Sequence, residues 1–255
     1  MNRISKAFEN KKAFIAFITG GDPDIETTEN LILAMAESGV DIIEIGIPFS
    51  DPIAEGIVIQ QASERALTGG CTTDKLFDMI KRLRTKTNIP LLFMTYINPV
   101  YTYGKEQFMM KCQENGINGL IVPDLPFEEK DELQDECNRY DICLISMIAP
   151  TSGDRTEKIA REAQGFLYCV SSLGVTGVRS EINANIAGLI KRVKKVSSVP
   201  CAVGFGISTP EQARKMAAIS DGIIVGSAIV KIVAEFGKDC IYPVKQFVNE
   251  LKNNL

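Results

Sequence analysis

The sequence predicts an α/β protein, with a closed (β/α)8 barrel favoured over an open, doubly wound sheet. Eight short apolar runs alternate with longer amphipathic segments along the 255 residues. Successive runs begin about 30 residues apart, which is the length of one βα unit. The runs are nearly continuous stretches of Val, Ile and Leu, as in parallel strands that helices cover. No Pro/Ser-rich linker interrupts the pattern, so we expect a single domain over residues 1–255.

The apolar runs give the predicted strands, because each is short and is followed by turn residues. In chain order they are Ala13–Thr19, Asp41–Ile47, Ile89–Thr95, Gly119–Pro123, Ile142–Ile148, Phe166–Val170, Val199–Gly204 and Asp221–Val225. In either α/β architecture, function is expected at the carboxyl ends of these strands.

Helical periodicity and terminal signals define the segments between the strands. Gly39 and Gly116 follow two of them as stop signals, and Thr209 and Pro210 predict an N-cap and a first helical residue. The predicted helices are Thr27–Ser38, a segment that opens at Thr73, Lys105–Asn115, Glu128–Tyr140, Asn183–Val196, Thr209–Ala218 and one that opens at Ser227.

The composition excludes several classes of protein. The formal net charge of -4, from 28 Lys and Arg and 32 Asp and Glu, argues against nucleic-acid binding. No apolar run approaches the roughly 18 residues of a membrane span, and the polar segment Met1–Lys12 does not resemble a signal peptide. Seven cysteines without a C-x-x-C motif are expected to be reduced, as in a cytoplasmic protein.

The chain contains no histidine. A Ser-His-Asp triad, a Cys-His pair and a His-ligated metal are therefore excluded. A general acid or base has to be Glu, Asp, Lys, Tyr or Cys. The acidic residues also lack a convincing metal spacing, so we expect no metal site.

Glu44 is the strongest catalytic candidate. Strand alternation places Ile43, Ile45 and Ile47 on one face, which reads as the helix-packing face, so Glu44 faces the barrel interior. A carboxylate there is costly unless it is paired, near water or functional. Burial would raise its pKa toward the range of a general acid. The alternative is a structural Glu that pairs with a neighbouring Lys or hydroxyl.

Further polar residues lie where strands end. Ser50, Asp51 and Glu55 follow Glu44 in a proline-containing loop, where charged residues are usually only solvated. Glu55 stands out because two carboxylates in different environments can divide the proton transfers of one reaction. At the ends of other strands, Asp22 and Asp124 are expected to cap turns.

Glycine-rich segments follow the last three predicted strands. Their backbone N–H groups can approach a phosphate closely, and the helix that opens at Ser227 adds the positive end of its dipole. The alternative is tight turns, for which glycine is also favoured. The residues concerned are Gly174, Gly177, Gly204, Gly206, Gly226 and Ser227.

Aromatic residues near the strand ends are weaker candidates. Tyr168 could donate a hydrogen bond to Glu44 across the barrel, or it could simply pack. Phe17, Tyr96 and Phe205 could line an aromatic pocket, although such residues are more often part of the core.

Six segments together resemble the alpha subunit family of tryptophan synthase, nearly from end to end of the chain. They are AFITGGDPD at 16–24, EIGIPFSDPIAEG at 44–56, VPDLPFEE at 122–129, YCVSSLGVTGVR at 168–179, VGFGIS at 203–208 and VGSAIVKIV at 225–233. The resemblance implies a (β/α)8 TIM barrel with an extra N-terminal helix. It implies cleavage of indole-3-glycerol phosphate to indole and glyceraldehyde 3-phosphate, a retro-aldol reaction that needs no cofactor in this chain.

The resemblance also implies roles for individual residues. Glu44 matches the catalytic glutamate, and Glu55 stands where the family usually has an Asp that binds the indole N–H. Ile57 replaces a common Pro. By the same comparison, the phosphate would bind Gly177, Gly206, Gly226 and Ser227, the indole would lie among Phe17, Tyr96 and Phe205, Tyr168 would support Glu44, and Thr176 would lie in a loop that closes over the substrate.

The implied partner is a tryptophan synthase beta subunit, which would hold pyridoxal phosphate and receive indole in an alpha2-beta2 complex. The loop with Asp51 and Pro52 and that around Asn98 and Pro99 resemble partner-facing surfaces. Three alternatives stay open. They are a standalone lyase that releases indole, a weakened subunit that binds ligand and regulates its partner, and another phosphate-binding barrel enzyme such as a sugar-phosphate isomerase.

Overall fold

The computed structural model describes residues 3–170, 179–204 and 206–255. Within them, nine strand segments form one sheet in the order β5-β4-β3-β2-β1-β9-β8-β7-β6. Every adjacent pair runs parallel. The strands are β1 Ala13–Thr19, β2 Ile42–Gly46, β3 Leu91–Met94, β4 Gly119–Ile121, β5 Cys143–Leu144, β6 Met147–Ile148, β7 Leu167–Val170, β8 Cys201–Gly204 and β9 Gly222–Val225.

The short strands β5 and β6 close the barrel. The sequence predicted one strand over Ile142–Ile148, whereas the structure divides it into two segments, which makes nine strands rather than eight. The reason is a change of neighbour between them. The N–H of Ile145 donates to Leu120 O at 2.9 Å, and Ser146 O accepts from the N–H of Tyr168 at 3.0 Å. One run therefore pairs with both edges of the sheet, and the (β/α)8 barrel is confirmed over the open sheet.

Helices surround the barrel. They are α1 Arg3–Lys6, α2 Ile25–Glu37, α3 Ile57–Thr68, α4 Thr73–Leu83, α5 Ile97–Tyr103, α6 Lys105–Glu114, α7 Asp131–Arg139, α8 Arg155–Glu162, α9 Arg179–Lys194, α10 Pro210–Ile219, α11 Ser227–Phe236 and α12 Ile241–Lys252. The N-cap predicted at Thr209 is confirmed, since its hydroxyl accepts from the N–H of Gln212. No helix in the described ranges is long and apolar enough to span a membrane.

Two apolar layers hold the barrel together. The outer layer lies between strands and helices and includes Ile43 and Ile45 of β2. The inner layer fills the barrel and includes Ile42 of the same strand, so β2 alternates as the sequence predicted. Ile4, next to Ala7 and Phe8, packs into this inner layer from the amino-terminal end. All seven cysteines are free and buried.

Candidate active site

Glu44 lies in the barrel interior, and its side chain is 0% exposed. It is the third residue of β2. Its partners in register are Phe17 on β1 and Leu92 on β3. Paired residues of parallel strands point to the same face, so these three side chains share the interior of the barrel. The interior position that strand alternation predicted is therefore observed.

Among residues 3–170, 179–204 and 206–255, the Glu44 carboxyl has no hydrogen-bond partner on either oxygen. Within these ranges, no Lys or hydroxyl forms the hydrogen bond to Glu44 that the structural alternative requires. Burial raises its pKa from 4.5 to about 8, because the charged form loses its hydration in the barrel. A carboxyl with this pKa is neutral over much of the neutral pH range and can act as a general acid.

Tyr168 lies on β7 and packs against the inner apolar layer. Burial and the nearby Glu44 both raise the pKa of its hydroxyl well above the ordinary value. No hydrogen bond joins it to Glu44, whose oxygens are unpartnered. Of the two alternatives for Tyr168, the structure shows the packed one.

The ring of Phe17 covers the end of β2. A Cβ atom on Gly46 would lie 2.7 Å from Cζ of Phe17, so only glycine allows the ring to occupy this place. Phe17 also approaches Gly226. A Cβ atom added to Gly226 would lie 3.3 Å from the Cβ atom of Phe17. Phe17 therefore forms an apolar wall between β2 and the start of α11.

Glu55 lies in the loop between β2 and α3 and is partly buried. Burial raises its pKa, and a hydrogen bond with Tyr96 partly opposes that shift. The buried Tyr96 hydroxyl also accepts from the N–H of Ala54 at 3.0 Å. The ring of Phe49 lies 5.3 Å from that of Tyr96. One tyrosine thus anchors the segment that carries the second carboxylate.

The proposed phosphate-binding residues are described only in part. Gly226 precedes α11, and Ser227 is its exposed first residue. Gly206 is exposed and has a φ of 50°, a left-handed conformation that favours glycine. The predictions for Thr176, Gly177 and Phe205, like that for Gly174, fall outside the described residues.

The loop after β2 exposes large apolar side chains. Ile53 is 80% exposed and Ile57 is 65% exposed. Asn98 and Pro99, expected in a loop, instead lie in the short helix α5. Tyr101 of α5 is also exposed. Apolar side chains at the rim of the barrel are typical of a protein interface.

Asp22 differs from its expected role as a turn cap, because its carboxylate pairs with Arg65 of α3. No local sequence pattern predicts this pair, because 43 residues separate its members. Asp124 also does not cap a turn of its own loop, because its carboxylate accepts from the N–H of Ile97 at 3.0 Å, at the start of α5 and 27 residues away in sequence. In the described ranges, no group of three or more acidic, Cys or His residues could hold a metal ion.

Comparisons with known proteins agree with this geometry. The family model for the tryptophan synthase alpha chain matches residues 4–254. The tryptophan synthase alpha chain of Lacticaseibacillus casei is 45% identical over 252 residues, which cover 99% of this chain and 95% of the relative. That of Thermoanaerobacter pseudethanolicus is 47% identical over 262 aligned positions, with complete coverage of both chains.

Solved structures give the same result. The tryptophan synthase alpha subunit of Legionella pneumophila superposes with a TM-score of 0.90 at 35% identity, covering 100% of this chain and 98% of the other. A chain of the tryptophan synthase a2b2 complex of Pyrococcus furiosus superposes with a TM-score of 0.87 at 37% identity, and the match covers 94% of this chain and 98% of the other. By family model, sequence and structure, the chain belongs to the tryptophan synthase alpha chain family.

Proposed function

We propose that Glu44 and Glu55 carry out, in this chain, the lyase reaction of the tryptophan synthase alpha family. The reaction cleaves indole-3-glycerol phosphate to indole and glyceraldehyde 3-phosphate in tryptophan biosynthesis. The observation that carries the assignment is Glu44 itself, a buried carboxyl that has no hydrogen-bond partner in the described part of the chain and a pKa of about 8. Such a group is unfavourable for folding and is typical of an acid-base catalyst.

Glu44 moves the protons of the reaction. Its neutral carboxyl donates a proton to C3 of the indole ring, which becomes an indoleninium cation. The bond between C3 and the glycerol chain then breaks, and its electron pair restores the aromatic ring and neutralises the ring nitrogen. The adjacent hydroxyl loses its proton to the Glu44 carboxylate and becomes the aldehyde. Glu44 gives one proton and takes one back, so its acid form is regenerated and no second residue has to transfer a proton.

Glu55 stabilises the cationic ring. Its carboxylate accepts a hydrogen bond from the indole N–H and offsets the positive charge that develops there. The Tyr96 hydroxyl lies near this carboxylate and lowers its pKa, and it accepts from the N–H of Ala54 in the same loop. The Glu55 side chain is one methylene longer than the usual Asp.

The remaining site residues bind and enclose the substrate. Phe17 and Tyr96 flank the indole, and Tyr168 packs beside Glu44. The backbone N–H groups of Gly226 and Ser227 bind the phosphate at the positive end of α11. The family pattern adds Gly206 and, outside the described residues, Thr176, Gly177 and Phe205.

The chain works with a beta subunit in an alpha2-beta2 complex. The exposed Ile53 and Ile57 beside the Glu55 loop support this role, because they place an apolar surface next to the active site. Pyridoxal phosphate belongs to the beta subunit and takes no part in the steps of this chain. The chain acts as a single catalytic domain over residues 1–255 in the cytoplasm.

The decisive experiment measures indole release from indole-3-glycerol phosphate by the purified chain, with and without a beta subunit. Slow release that rises sharply with the partner is expected. Fast release by the chain alone would favour the standalone lyase. No release in either condition would contradict the proposal and favour a regulatory subunit or another substrate.

A further inference from the structure

Thr19 carries a buried hydroxyl without a partner. It is the last residue of β1, is 3% exposed, and its Oγ1 makes no hydrogen bond to any residue that the structure describes. Phe17, two residues earlier, is in register with Glu44, and Thr19 is in register with Gly46. Thr19 therefore faces the barrel interior at its carboxyl end, on the same face as Glu44. A buried polar atom with no partner is rare and requires an explanation.

The sheet order places Thr19 between the two ends of the proposed substrate site. Glu44 lies on β2, and Gly226 follows β9, while β1 lies between these two strands. A substrate whose indole C3 meets Glu44 and whose phosphate meets the start of α11 must cross the end of β1. The part of the substrate that crosses is the glycerol chain.

We propose that the Thr19 hydroxyl binds the middle hydroxyl of the glycerol chain of indole-3-glycerol phosphate. The inference rests on the proposed function, because that function supplies the two ends of the substrate. The contact pairs an unpartnered protein hydroxyl with a substrate hydroxyl that would otherwise lose its hydration on binding. It orients the carbon next to the bond that breaks. Thr19 is thus a substrate-positioning residue.

Two uncleavable probes test this contact without relying on turnover. One is indole-3-propyl phosphate, and the other carries a single hydroxyl on the middle carbon of the propyl chain, as separate enantiomers. Both lack the hydroxyl on the carbon next to the ring, which becomes the aldehyde in cleavage. Calorimetry of the full chain should show that one enantiomer binds about fivefold more tightly than the unsubstituted probe, as expected for one hydrogen bond.

Two substitutions of Thr19 distinguish the effect of its hydroxyl on binding from the effect of its side-chain shape. Thr19→Val, which is nearly isosteric, should abolish this preference and leave the affinity for the unsubstituted probe unchanged. Thr19→Ser should keep the preference. Thr156→Val on α8 is the matched control, because its hydroxyl is equally buried and unpartnered but lies outside the site. Thermal melts of all variants check that each one folds.

The outcomes distinguish this inference from the proposed function. If the wild-type chain binds neither probe, the proposed indole and phosphate site is wrong and the inference falls with it. If both probes bind but the preference survives in Thr19→Val, or was never present, the role of Thr19 alone is wrong. Loss of affinity for both probes by the same factor in Thr19→Val would likewise contradict a specific contact.

Discussion

Arg65 donates two hydrogen bonds to the carboxylate of Asp22, from Nε at 2.9 Å and from Nη2 at 2.8 Å. The Asp22 side chain is 2% exposed and that of Arg65 is 37% exposed. Asp22 lies in the loop after β1, and Arg65 lies in α3, the helix that follows Glu55. The pair therefore ties the segment that carries the second carboxylate to the strand beside Glu44.

Asp22→Asn should destabilise the fold by about 1–3 kcal/mol, because it leaves Arg65 without a charged acceptor. Urea unfolding measures the change. The matched control is Glu128→Gln, which breaks the exposed pair between Arg155 and Glu128. Because solvent screens an exposed pair of this kind, its loss should have a clearly smaller effect on the free energy of unfolding. Equal effects of the two substitutions would contradict a structural role for the buried pair.

Glu44→Gln should lower the rate of indole release by at least about 100-fold, because the amide keeps the shape but cannot transfer the proton. The affinity for indole-3-propyl phosphate should change little, since the phosphate contacts stay intact. Glu250→Gln on the exposed face of α12 serves as the control. Near-normal turnover in Glu44→Gln would remove Glu44 from the mechanism.

The stability of the wild-type chain should fall as the pH rises from about 4.5 to about 8. In this window the folded chain keeps the proton of Glu44 while the unfolded chain has lost it, so the folded state binds more protons. The contribution of Glu44 to the slope of the free energy of unfolding against pH approaches about 1.4 kcal/mol per pH unit. Denaturant unfolding across the window measures it. Glu44→Gln should flatten the slope by this amount, and an unchanged slope would mean that Glu44 is charged in the folded chain.

Glu55→Asp restores the usual family residue but shortens the side chain that Tyr96 contacts. If the loop is adjusted to the longer residue, kcat should fall by about tenfold, the equivalent of one hydrogen bond. Steady-state rates of indole release check this. A higher rate in the variant would contradict this expectation and show that Glu55 makes the wild-type chain slower than Asp would.

The sequence predicted the elements with strong local signals. The bounds of β1 were predicted without error at Ala13–Thr19. The interior position of Glu44 also followed from the sequence, because the isoleucines that alternate with it identify the outer face of β2. Both inferences depend on a two-residue period within a single strand, which is a local property of the chain.

Features that depend on distant parts of the chain were not predicted. Helix α3 at Ile57–Thr68 was not predicted, and Asn98 and Pro99, expected in a loop, lie in the helix α5. The division of Ile142–Ile148 depends on which two strands flank it. The Asp22 pair joins residues far apart in sequence. Thr19 gave no signal, since a Thr is ordinary in a strand and only the fold shows that its hydroxyl lacks a partner.

The amino-terminal end of the barrel is closed by apolar side chains. Ile4 and Phe8 pack beneath Ile15, Ile42 and the rest of the inner layer. Side chains this closely packed leave no passage for a molecule as large as indole. In the part of the chain that the structure describes, an indole that forms above Glu44 therefore leaves through the opposite, carboxyl-terminal end of the barrel, where Ile53 and Ile57 are exposed. Because the described residues close the amino-terminal end, a product formed in the barrel is released toward the protein or solvent that covers the carboxyl-terminal end.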